Sequence, residues 1–326
     1  MKKNRRTRSA LVLCLAVCIA VSLVVPAFAK APGYTPKNWM KSIDGSLTLA
    51  QFTVPGTHDS TTEKVPLGHC QTVGVRQQLN MGARFLDIRL KVDAKGNLNC
   101  YHGFVNCLTS FKSVMTDVVN FLKANPSECV IMSVKDEDDV GTKPADISAR
   151  KRFEKALVEN WIESSKYAEY FYTDDSIPTL DEVRGKIVLM RRYRSYDAAL
   201  TRGINAHNGW GDNGSFRIYR DAYTLRIQDI YQYDTVGLSF GKDKWKNFLA
   251  FDRDMQAENT DDPADVLWLN FSNGCNKVSC GQVSCAVVVN AYILNAFKSA
   301  AGNHGIVIMD HVTPCLVSEV IATNFR

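Results

Sequence analysis

Two histidines, an arginine and several aspartates have the types and order needed for acid–base chemistry. His58 is followed directly by Asp59, Asp87 and Arg89 stand two positions apart, and His102 comes next along the chain. Two imidazoles can act as general base and general acid while carboxylates fix their tautomers and orientation. A guanidinium offers a planar fork of donors for phosphate oxygens. The set predicts phosphoryl transfer, and the sequence contains no HExxH-type motif that would call for a metal.

Further charged residues stand at the ends of segments that have the composition of β-strands. We predict eight such strands, over residues 49–54, 84–90, 98–102, 129–135, 186–192, 225–229, 266–271 and 305–310. Four of them end at Lys135, Arg192, Asp229 and Asp310. A charge that ends an apolar strand is costly unless it has a partner or a function. We therefore expect these residues to converge with the histidines at one edge of a sheet.

The strands alternate with helical patterns, which predicts an α/β fold. Several strands are almost entirely apolar, as in a parallel sheet covered by helices on both faces. Amphipathic segments at 109–124, 149–163 and 287–300 supply helices between them. We predict a single-domain, irregular (β/α)8 TIM-type barrel, whose active site lies at the carboxyl ends of the strands. The connection from 90 to 98 is too short for a crossover helix, so the barrel is irregular there or forms a hairpin. Residues 193–224 are expected to form a large surface insertion.

Residues 1–29 have the layout of a secretory signal peptide. A basic start is followed by an uncharged apolar run over 11–25 and by a small-x-small ending at Ala29. The apolar run is short for a membrane span. We expect cleavage after Ala29 and a catalytic barrel over residues 30–326. The protein would then be secreted, or periplasmic.

Removal of residues 1–29 changes the charge of the protein. The full chain carries a net charge of +5, and the first 29 residues contain five basic and no acidic residues. The remainder has no net charge, so a nucleic-acid partner, which would require a basic patch, is not expected.

Eight of the ten cysteines remain after removal of residues 1–29. The spacing of Cys275, Cys280 and Cys285 is not that of a zinc site and favours disulfides or buried thiols.

Motifs along residues 38–326 resemble those of bacterial phosphatidylinositol-specific phospholipases C. The two most specific are VPGTHDS at 54–60 and GARFLDIR at 82–89. Others follow in the same order. They are NWMK at 38–41, LTLA at 47–50, HG at 102–103, NPSE at 125–128, MSVK at 132–135, RGKIVL at 184–189, QDIY at 228–231, IMD at 308–310 and SEVI at 318–321.

This resemblance implies a phosphatidylinositol diacylglycerol-lyase with a defined set of roles. His58, paired with Asp310, would take the proton from the inositol 2-hydroxyl, which attacks the phosphorus. His102, assisted by Asp59, would protonate the departing diacylglycerol oxygen, giving inositol 1,2-cyclic phosphate. The resemblance further implies that Arg89 stabilises the phosphate charge and that Asp87 orients the site.

Substrate recognition carries over in the same way onto Lys135, Arg192, Asp229 and Tyr231. The choice of Arg192 over its neighbour Arg191 stays open, because their side chains alternate across the strand. Calcium-dependent relatives have acidic ligands where this sequence has Asp59 and Arg89. We therefore expect no metal and no cofactor.

The implied partner is phosphatidylinositol at a membrane surface, and we expect a monomer. Glycosyl-phosphatidylinositol anchors are a possible second class of substrate. The sequence departs from the family where membrane contact is expected, because residues 62–75 contain no tryptophan and 285–289 read CAVVV. We assign residues 287–289 to the core. Two alternatives are a glycerophosphodiester phosphodiesterase-like enzyme and a catalytically dead module that binds inositol lipids or glycans.

Overall fold

The computed structural model describes residues 34–139, 147–258, 264–276 and 281–326. The predicted signal peptide and Cys280 lie outside the described residues, so cleavage after Ala29 stays a prediction. Within the described ranges, none of the helices combines the length and the apolar character needed to cross a membrane. Residues 34–326 form one compact unit.

The described residues form fourteen strands and seven α-helices. The strands are β1 (Val54–Thr57), β2 (Phe85–Val92), β3 (Leu98–His102), β4 (Val105–Ser110), β5 (Val130–Asp136), β6 (Phe171–Tyr172), β7 (Ile187–Arg192), β8 (Ile204–Asn205), β9 (Gly214–Tyr219), β10 (Thr224–Asp229), β11 (Gln232–Tyr233), β12 (Val266–Phe271), β13 (Cys275–Asn276) and β14 (Ile306–Met309). The helices are α1 (Val75–Met81), α2 (Phe111–Ala124), α3 (Ile147–Leu157), α4 (Leu180–Val183), α5 (Leu238–Glu258), α6 (Gln282–Phe297) and α7 (Pro314–Ala322).

A single twelve-stranded sheet carries the site. Its order is β6-β7-β5-β2-β1-β14-β12-β10-β9, with β3 and β4 continuing from β2 and with β8 beside β7. From β7 to β10 along this order every neighbouring pair is parallel, whereas β9 runs antiparallel to β10. The core strands β1, β7 and β14 are buried along their whole length, as a sheet covered on both faces requires. The prediction of an irregular TIM-type α/β barrel is confirmed.

The irregularity predicted after residue 90 is a hairpin. β2 pairs antiparallel with β3, with Leu90 opposite Cys100, and β3 pairs antiparallel with β4. The Asp93 carboxylate closes the turn by accepting the backbone N–H groups of Lys95 and Asn97, each at 2.8 Å. The hairpin extends β2 without a crossover helix, and it carries His102 at the end of its second strand.

The predicted first strand, residues 49–54, is wrong in position. The strand is β1, which begins at Val54, and the preceding residues form turns. Leu49 and Phe52 are nevertheless buried, because they pack into the core without joining a ladder. A short apolar run does not distinguish a buried strand from a buried turn.

The remaining sequence expectations differ from the structure in detail. The helix predicted over 109–124 is α2, which is capped by the Ser110 hydroxyl accepting the N–H of Ser113. Residues 193–224 are integrated into the barrel, because they contribute β8 and β9 to the sheet. The assignment of 287–289 to the core holds for Val289, which is fully buried, but Val287 is exposed on α6. The thiol of Cys285 is buried and forms no disulfide.

Candidate active site

The parallel strands bring the predicted residues together because their carboxyl ends meet at one edge of the sheet. His58 and Asp59 follow β1, and Asp310 follows the neighbouring strand β14. Asp87 and Arg89 lie within β2, on the other side of β1. The remaining predicted positions lie at or just beyond the ends of further strands. They are His102 on β3, Lys135 on β5, Arg192 on β7, Asp229 on β10 and Tyr231 beyond β10.

His58 forms the best-defined acid–base pair of the site. Its Nδ1 lies 2.8 Å from Asp310 Oδ1, and its Nε2 lies 2.9 Å from the Arg89 Nη2 atom, which can donate to it. Both side chains of the pair are buried. Burial, reinforced by the nearby Arg89 charge, lowers the pKa of His58 well below its ordinary value. The pair therefore presents a neutral imidazole whose Nε2 faces the guanidinium.

Arg89 lies at the centre of a cluster of acids. Its Nε is 2.9 Å from Asp59 Oδ1, its Nη2 is 2.9 Å from Asp87 Oδ2, and its Nη1 is 3.9 Å from Glu137 Oε1. Burial disfavours the charge of Arg89, but these three carboxylates outweigh burial and raise its pKa well above the ordinary value. The guanidinium is therefore permanently charged at the centre of the cluster.

Asp87 joins the two arginines of the site. Its Oδ2 accepts from Arg89, and its Oδ1 lies 3.1 Å from Arg192 Nη1. Burial would raise the pKa of Asp87, but the charges of Arg89 and Arg192 prevail and hold that pKa well below its ordinary value. Asp87 is therefore an ionised anchor for both guanidinium groups.

Asp59 lies between the two histidines. Its Oδ2 is 3.1 Å from His58 Nε2 and 3.4 Å from His102 Nε2, and among the described residues neither contact has the geometry of a hydrogen bond. The backbone of Asp59 has φ 41°, and His311, which follows Asp310, has φ 47°. Non-glycine residues adopt this left-handed region at a cost, and such strain is concentrated at functional sites. Here it turns the chain directly after each member of the His58–Asp310 pair.

His102 is the more accessible of the two histidines, with 24% of its side chain exposed against 7% for His58. Its ring is held from one side by the backbone of Gly68, where an added Cβ would overlap the imidazole. Gly68 also has φ 70°, a value that favours glycine. A residue outside the predicted set therefore positions the exposed histidine at the mouth of the site.

Arg192 and Arg191 lie on opposite faces of β7. The guanidinium of Arg192 faces Asp87 and stacks over the ring of Trp210, with 3.7 Å between the guanidinium carbon and the ring centroid. Arg191 instead donates to the carbonyl of Tyr193 at 3.3 Å. The geometry thus brings Arg192, and not Arg191, together with the cluster around Arg89.

The other predicted contact residues have distinct surroundings. Asp229 is buried, accepts the Trp210 indole N–H at 3.2 Å, and has a pKa raised by burial. Lys135 pairs with Glu137 at 2.8 Å. Tyr231 lies farther out, where its hydroxyl donates to Asp212 at 2.6 Å, so it is the least closely connected member of the set.

Sequence reasoning missed three side chains that the fold brings to this cluster. Trp210 lies in the loop between β8 and β9 and contacts Arg192 and Asp229, as described above. Glu137 follows Lys135 in an acidic turn, where it contacts Arg89 and accepts the N–H of Gly103 at 2.8 Å. Cys70 is fully buried beside Asp310 and Asp59, and burial together with these acids raises the pKa of its thiol well above the ordinary value. The acidic turn after Lys135 is a sequence signal that could have indicated Glu137, whereas nothing in the local sequence indicates Trp210 or Cys70.

Three groups of side chains bring metal-binding atoms within 4.8 Å of one another in the described residues. They are His58 with Cys70 and Asp310, Asp59 with Cys70 and His102, and His58 with Asp59 and Asp87. All three share residues with the acid–base cluster. Arg89 contacts Asp59 and Asp87 directly, so a cationic group already neutralises the carboxylates of the last group.

A buried His–Asp pair, a second histidine and a central arginine at the carboxyl ends of a parallel barrel define a class of site suited to cleaving phosphodiesters. Residues 47–193 match the model of the family described as phosphatidylinositol-specific phospholipase C, X domain. The chain is 31% identical over 253 residues to a 1-phosphatidylinositol phosphodiesterase of Staphylococcus aureus, covering 73% of this chain and 75% of the relative. A 1-phosphatidylinositol phosphodiesterase of Listeria monocytogenes is 36% identical over 170 residues, 48% of this chain and 49% of the relative.

Solved structures agree with these sequence matches. A crystal structure of a pentafluoro-Phe-containing phosphatidylinositol-specific phospholipase C from Staphylococcus aureus superposes with a TM-score of 0.75 at 26% identity, covering 89% of this chain and 97% of that one. The Listeria monocytogenes enzyme gives a TM-score of 0.67 at 26% identity, covering 89% and 99%. The chain belongs to the bacterial phosphatidylinositol-specific phospholipase C family, which confirms the resemblance of its motifs.

Proposed function

We propose that this chain cleaves phosphatidylinositol into diacylglycerol and inositol 1,2-cyclic phosphate. The observation that carries the proposal is the arrangement of His58 and His102 on either side of Asp59, with Arg89 contacting both Asp59 and His58. A general base, a general acid and a fixed cation then surround one point. An internal hydroxyl of the substrate serves as the nucleophile, so binding alone supplies the proximity.

In the proposed first step, His58 Nε2 accepts the proton of the inositol 2-hydroxyl as that oxygen bonds to phosphorus. Asp310 holds Nδ1 and stabilises the imidazolium that forms, which is the role of a carboxylate in a catalytic triad. The phosphorus–oxygen bond to diacylglycerol breaks as His102 donates its proton to the departing oxygen. After this step His58 is protonated and His102 is neutral. Proton exchange with water then restores the starting protonation state of both histidines.

Arg89 would stabilise the charge that develops on the non-bridging phosphate oxygens. Its Nη1 is 3.9 Å from Glu137, beyond hydrogen-bond distance, so the N–H groups of this nitrogen are available to donate to a phosphate oxygen. A fixed guanidinium provides the positive charge for which calcium-dependent relatives use an ion. We therefore propose that turnover requires no metal and continues in the presence of chelator. Strict dependence on added calcium would contradict this.

The inositol ring would be recognised by Lys135, Arg192, Asp229 and Tyr231. We add Trp210, because its ring supports the Arg192 guanidinium and its N–H contacts Asp229. Ring hydroxyls can donate to Asp229 and accept from the two cations. Tyr231 would contribute from the rim.

Phosphatidylinositol lies in a membrane, so the mouth of the site must meet a lipid surface. Phe104 and Leu67 are 87% and 64% exposed. Phe104 lies two residues after His102, and Leu67 directly precedes Gly68, which lies against the His102 ring. Leu108 is also exposed, and its carbonyl accepts from Lys64 at 3.3 Å. We propose that these apolar side chains around His102 contact the bilayer, in place of the tryptophans that residues 62–75 lack.

The docking proposal is tested with Phe104→Ser. Loss of a buried aromatic ring from the lipid should weaken binding to phosphatidylcholine–phosphatidylinositol vesicles by about tenfold, while turnover of a water-soluble inositol phosphodiester is unchanged. Tyr219→Ser is the matched control, because Tyr219 is also an aromatic side chain, 66% exposed, but lies opposite Thr224, at the amino end of β10. Equal vesicle binding by both variants and the parent protein would refute the docking surface.

The catalytic proposal is tested by phosphorus NMR of the products formed from phosphatidylinositol in chelator. His58→Ala and His102→Ala should each abolish the cyclic phosphate signal. His304→Ala is the matched control, since His304 also forms a buried pair with an aspartate, Asp252 at 2.8 Å, but precedes β14 at the opposite end of the barrel. Turnover that survives in either catalytic variant would reject the mechanism. Binding without turnover in the parent protein would favour a catalytically dead module.

The location and assembly of the protein are further proposals, and export rests on the signal-peptide layout of residues 1–29. We propose export, with the amino terminus of the recovered protein at residue 30, and a monomer as the active form. Amino-terminal sequencing and light scattering test the two statements. Release of a glycosyl-phosphatidylinositol-anchored protein from cells would extend the substrate class.

A further inference from the structure

Cys70 lies close to two histidine–aspartate pairs, His58 with Asp310 and His102 with Asp59, yet the proposed reaction does not use it. Its thiol is fully buried. Its backbone N–H donates to the Thr62 hydroxyl at 3.0 Å, and its carbonyl accepts the N–H of His311 at 2.7 Å. These bonds fix Cys70 between the loop after β1 and the loop after β14. The thiol is therefore held in place beside catalytic groups rather than packed at random in the core.

The atoms around the Cys70 thiol have the types and spacing of zinc ligands. Ligand atoms of Cys70, Asp59 and His102 all lie within 4.8 Å of one another. Asp59 Oδ2 and His102 Nε2 are 3.4 Å apart. Two ligands at about 2.0–2.1 Å from a tetrahedral Zn²⁺ are separated by about 3.3 Å. Asp59 and His102 are therefore already spaced as two ligands of one zinc ion. The Cys70 thiol, within 4.8 Å of both, could shift to become the third ligand.

A second observation points to a cation at this position. Asp59 is 2% exposed, and its Oδ2 accepts no hydrogen bond among the described residues, although the imidazole nitrogens of His58 and His102 lie 3.1 Å and 3.4 Å away. Asp310 Oδ2, on the other side of Cys70, is equally buried and also lacks a partner in the described part of the chain. Buried carboxylate oxygens without partners are costly. Both would gain from a positive charge beside the thiol.

The ligand set selects the kind of ion. Thiolate and imidazole ligands favour zinc and related soft ions, whereas calcium and magnesium prefer an all-oxygen shell. The group of Asp59, Cys70 and His102 is also the more accessible one, because His102 is partly exposed while His58 is engaged through both ring nitrogens. An ion can reach this group from the mouth of the site.

We propose that Zn²⁺ binds to Cys70, Asp59 and His102, with its fourth position open towards the mouth, and that it inhibits the enzyme. The thiol proton passes to solvent as the thiolate bonds to the ion. The bound ion occupies His102 Nε2 and the Asp59 carboxylate, so His102 can no longer deliver a proton. The inhibitory effect rests on the proposed role of His102, whereas ion binding does not.

The site is tested with the apo protein titrated with Co²⁺ and Zn²⁺ after removal of metal. Cobalt bound to a thiolate gives a near-ultraviolet charge-transfer band, which reports Cys70 as a ligand without any measurement of turnover. The parent protein should show this band and bind one zinc ion. Cys70→Ser should lose the band, keep its basal turnover, and require about tenfold or more zinc for the same inhibition. Cys70→Ala serves the same purpose if the serine variant does not fold.

Two controls separate this site from other positions. Cys315→Ser removes a partly exposed thiol on α7, and His69→Ala disrupts the partly buried pair of His69 and His311, whose ring centroids are 5.3 Å apart. Both should leave the cobalt band and the zinc sensitivity unchanged. Loss of sensitivity in His69→Ala, or equal sensitivity with and without the Cys70 thiol, overturns the proposed site. Zinc that binds with the thiolate band but leaves turnover unchanged overturns the inhibitory effect alone. If the protein has no phosphodiesterase activity at all, the cobalt band still decides whether the site exists.

Discussion

Replacement of Arg89 with lysine is expected to reduce kcat by about 10²–10³-fold while the protein stays folded. The guanidinium contacts Asp59, Asp87 and His58 at the same time, each at 2.9 Å. An ammonium group keeps the charge but cannot reproduce this planar fork. Loss of one preorganised donor from a site of developing charge costs about 2.7–4 kcal/mol of transition-state stabilisation, which corresponds to this loss of rate.

Arg89→Ala separates the effect of charge from that of geometry. Without any cation, Asp59, Asp87 and Glu137 would be buried near one another with less compensation. Removal of one partner from a buried ion pair costs about 3–5 kcal/mol of folding stability. The alanine variant should therefore lose both activity and stability, whereas the lysine variant should lose mainly activity.

The assay is the initial rate of cyclic inositol phosphate release from phosphatidylinositol in detergent micelles, with chelator present. Urea unfolding is followed in parallel for the parent protein and for both variants. A lysine variant whose kcat stays within about threefold of the parent value would refute a transition-state role for the guanidinium, because that difference is under 1 kcal/mol. Recovery of the alanine variant by added calcium would show instead that any cation suffices there.

Three further predictions follow from the geometry. Burial and a nearby cation lower the pKa of His58, so the acid limb of the plot of kcat/KM against pH should lie below 6.5, the ordinary pKa of histidine. Activity should be lost as the pH falls through this lowered pKa, because the base becomes protonated. An acid limb at or above 6.5 would contradict a buried neutral base. Trp210→Ala should raise KM by about three- to thirtyfold through loss of the stacking on Arg192, with kcat little changed, and Trp210→Phe should keep most of the affinity. Glu128→Gln should lower the free energy of unfolding in urea by about 3–5 kcal/mol, because it breaks the fully buried pair with Arg84 at 2.9 Å. Turnover of the folded enzyme should not change. A loss of less than about 1 kcal/mol would show that the Arg84 guanidinium finds other partners.

The sequence predicted well those positions of the candidate site that lie on strands. Asp87, Arg89, Lys135 and Arg192 lie in β2, β5 and β7, and apolar runs mark those strands clearly. Once the strands are parallel, their ends meet at one edge, so sequence order is enough to bring these residues together. Even the choice between Arg191 and Arg192 depends only on the alternation of side chains across β7, although the face could not be assigned without the sheet.

The sequence failed where position depends on loops. Trp210 reaches Arg192 through an insertion whose polar composition gave no periodic signal. Residues 49–53 read as a strand but fold as buried turns, because burial alone satisfies an apolar run. Cys70 follows no strand at all, and its place between the histidine–aspartate pairs comes from backbone hydrogen bonds to Thr62 and His311. Such contacts join residues far apart in sequence and leave no local pattern.

The arginine and the cysteine of this site have opposite consequences for metals. Arg89 satisfies Asp59 Oδ1 and Asp87 Oδ2, so on its side of the cluster the carboxylates have little need of an ion. On the other side, Asp59 Oδ2 is left for the histidines to share, and the Cys70 thiol completes a soft ligand set around it. In the proposed arrangement, the Asp59 carboxylate separates a side where Arg89 already supplies positive charge from a side where zinc would bind. The proposed independence from metal and the proposed sensitivity to zinc are therefore compatible in one enzyme, and Cys70→Ser should remove the zinc sensitivity while leaving turnover in chelator unchanged.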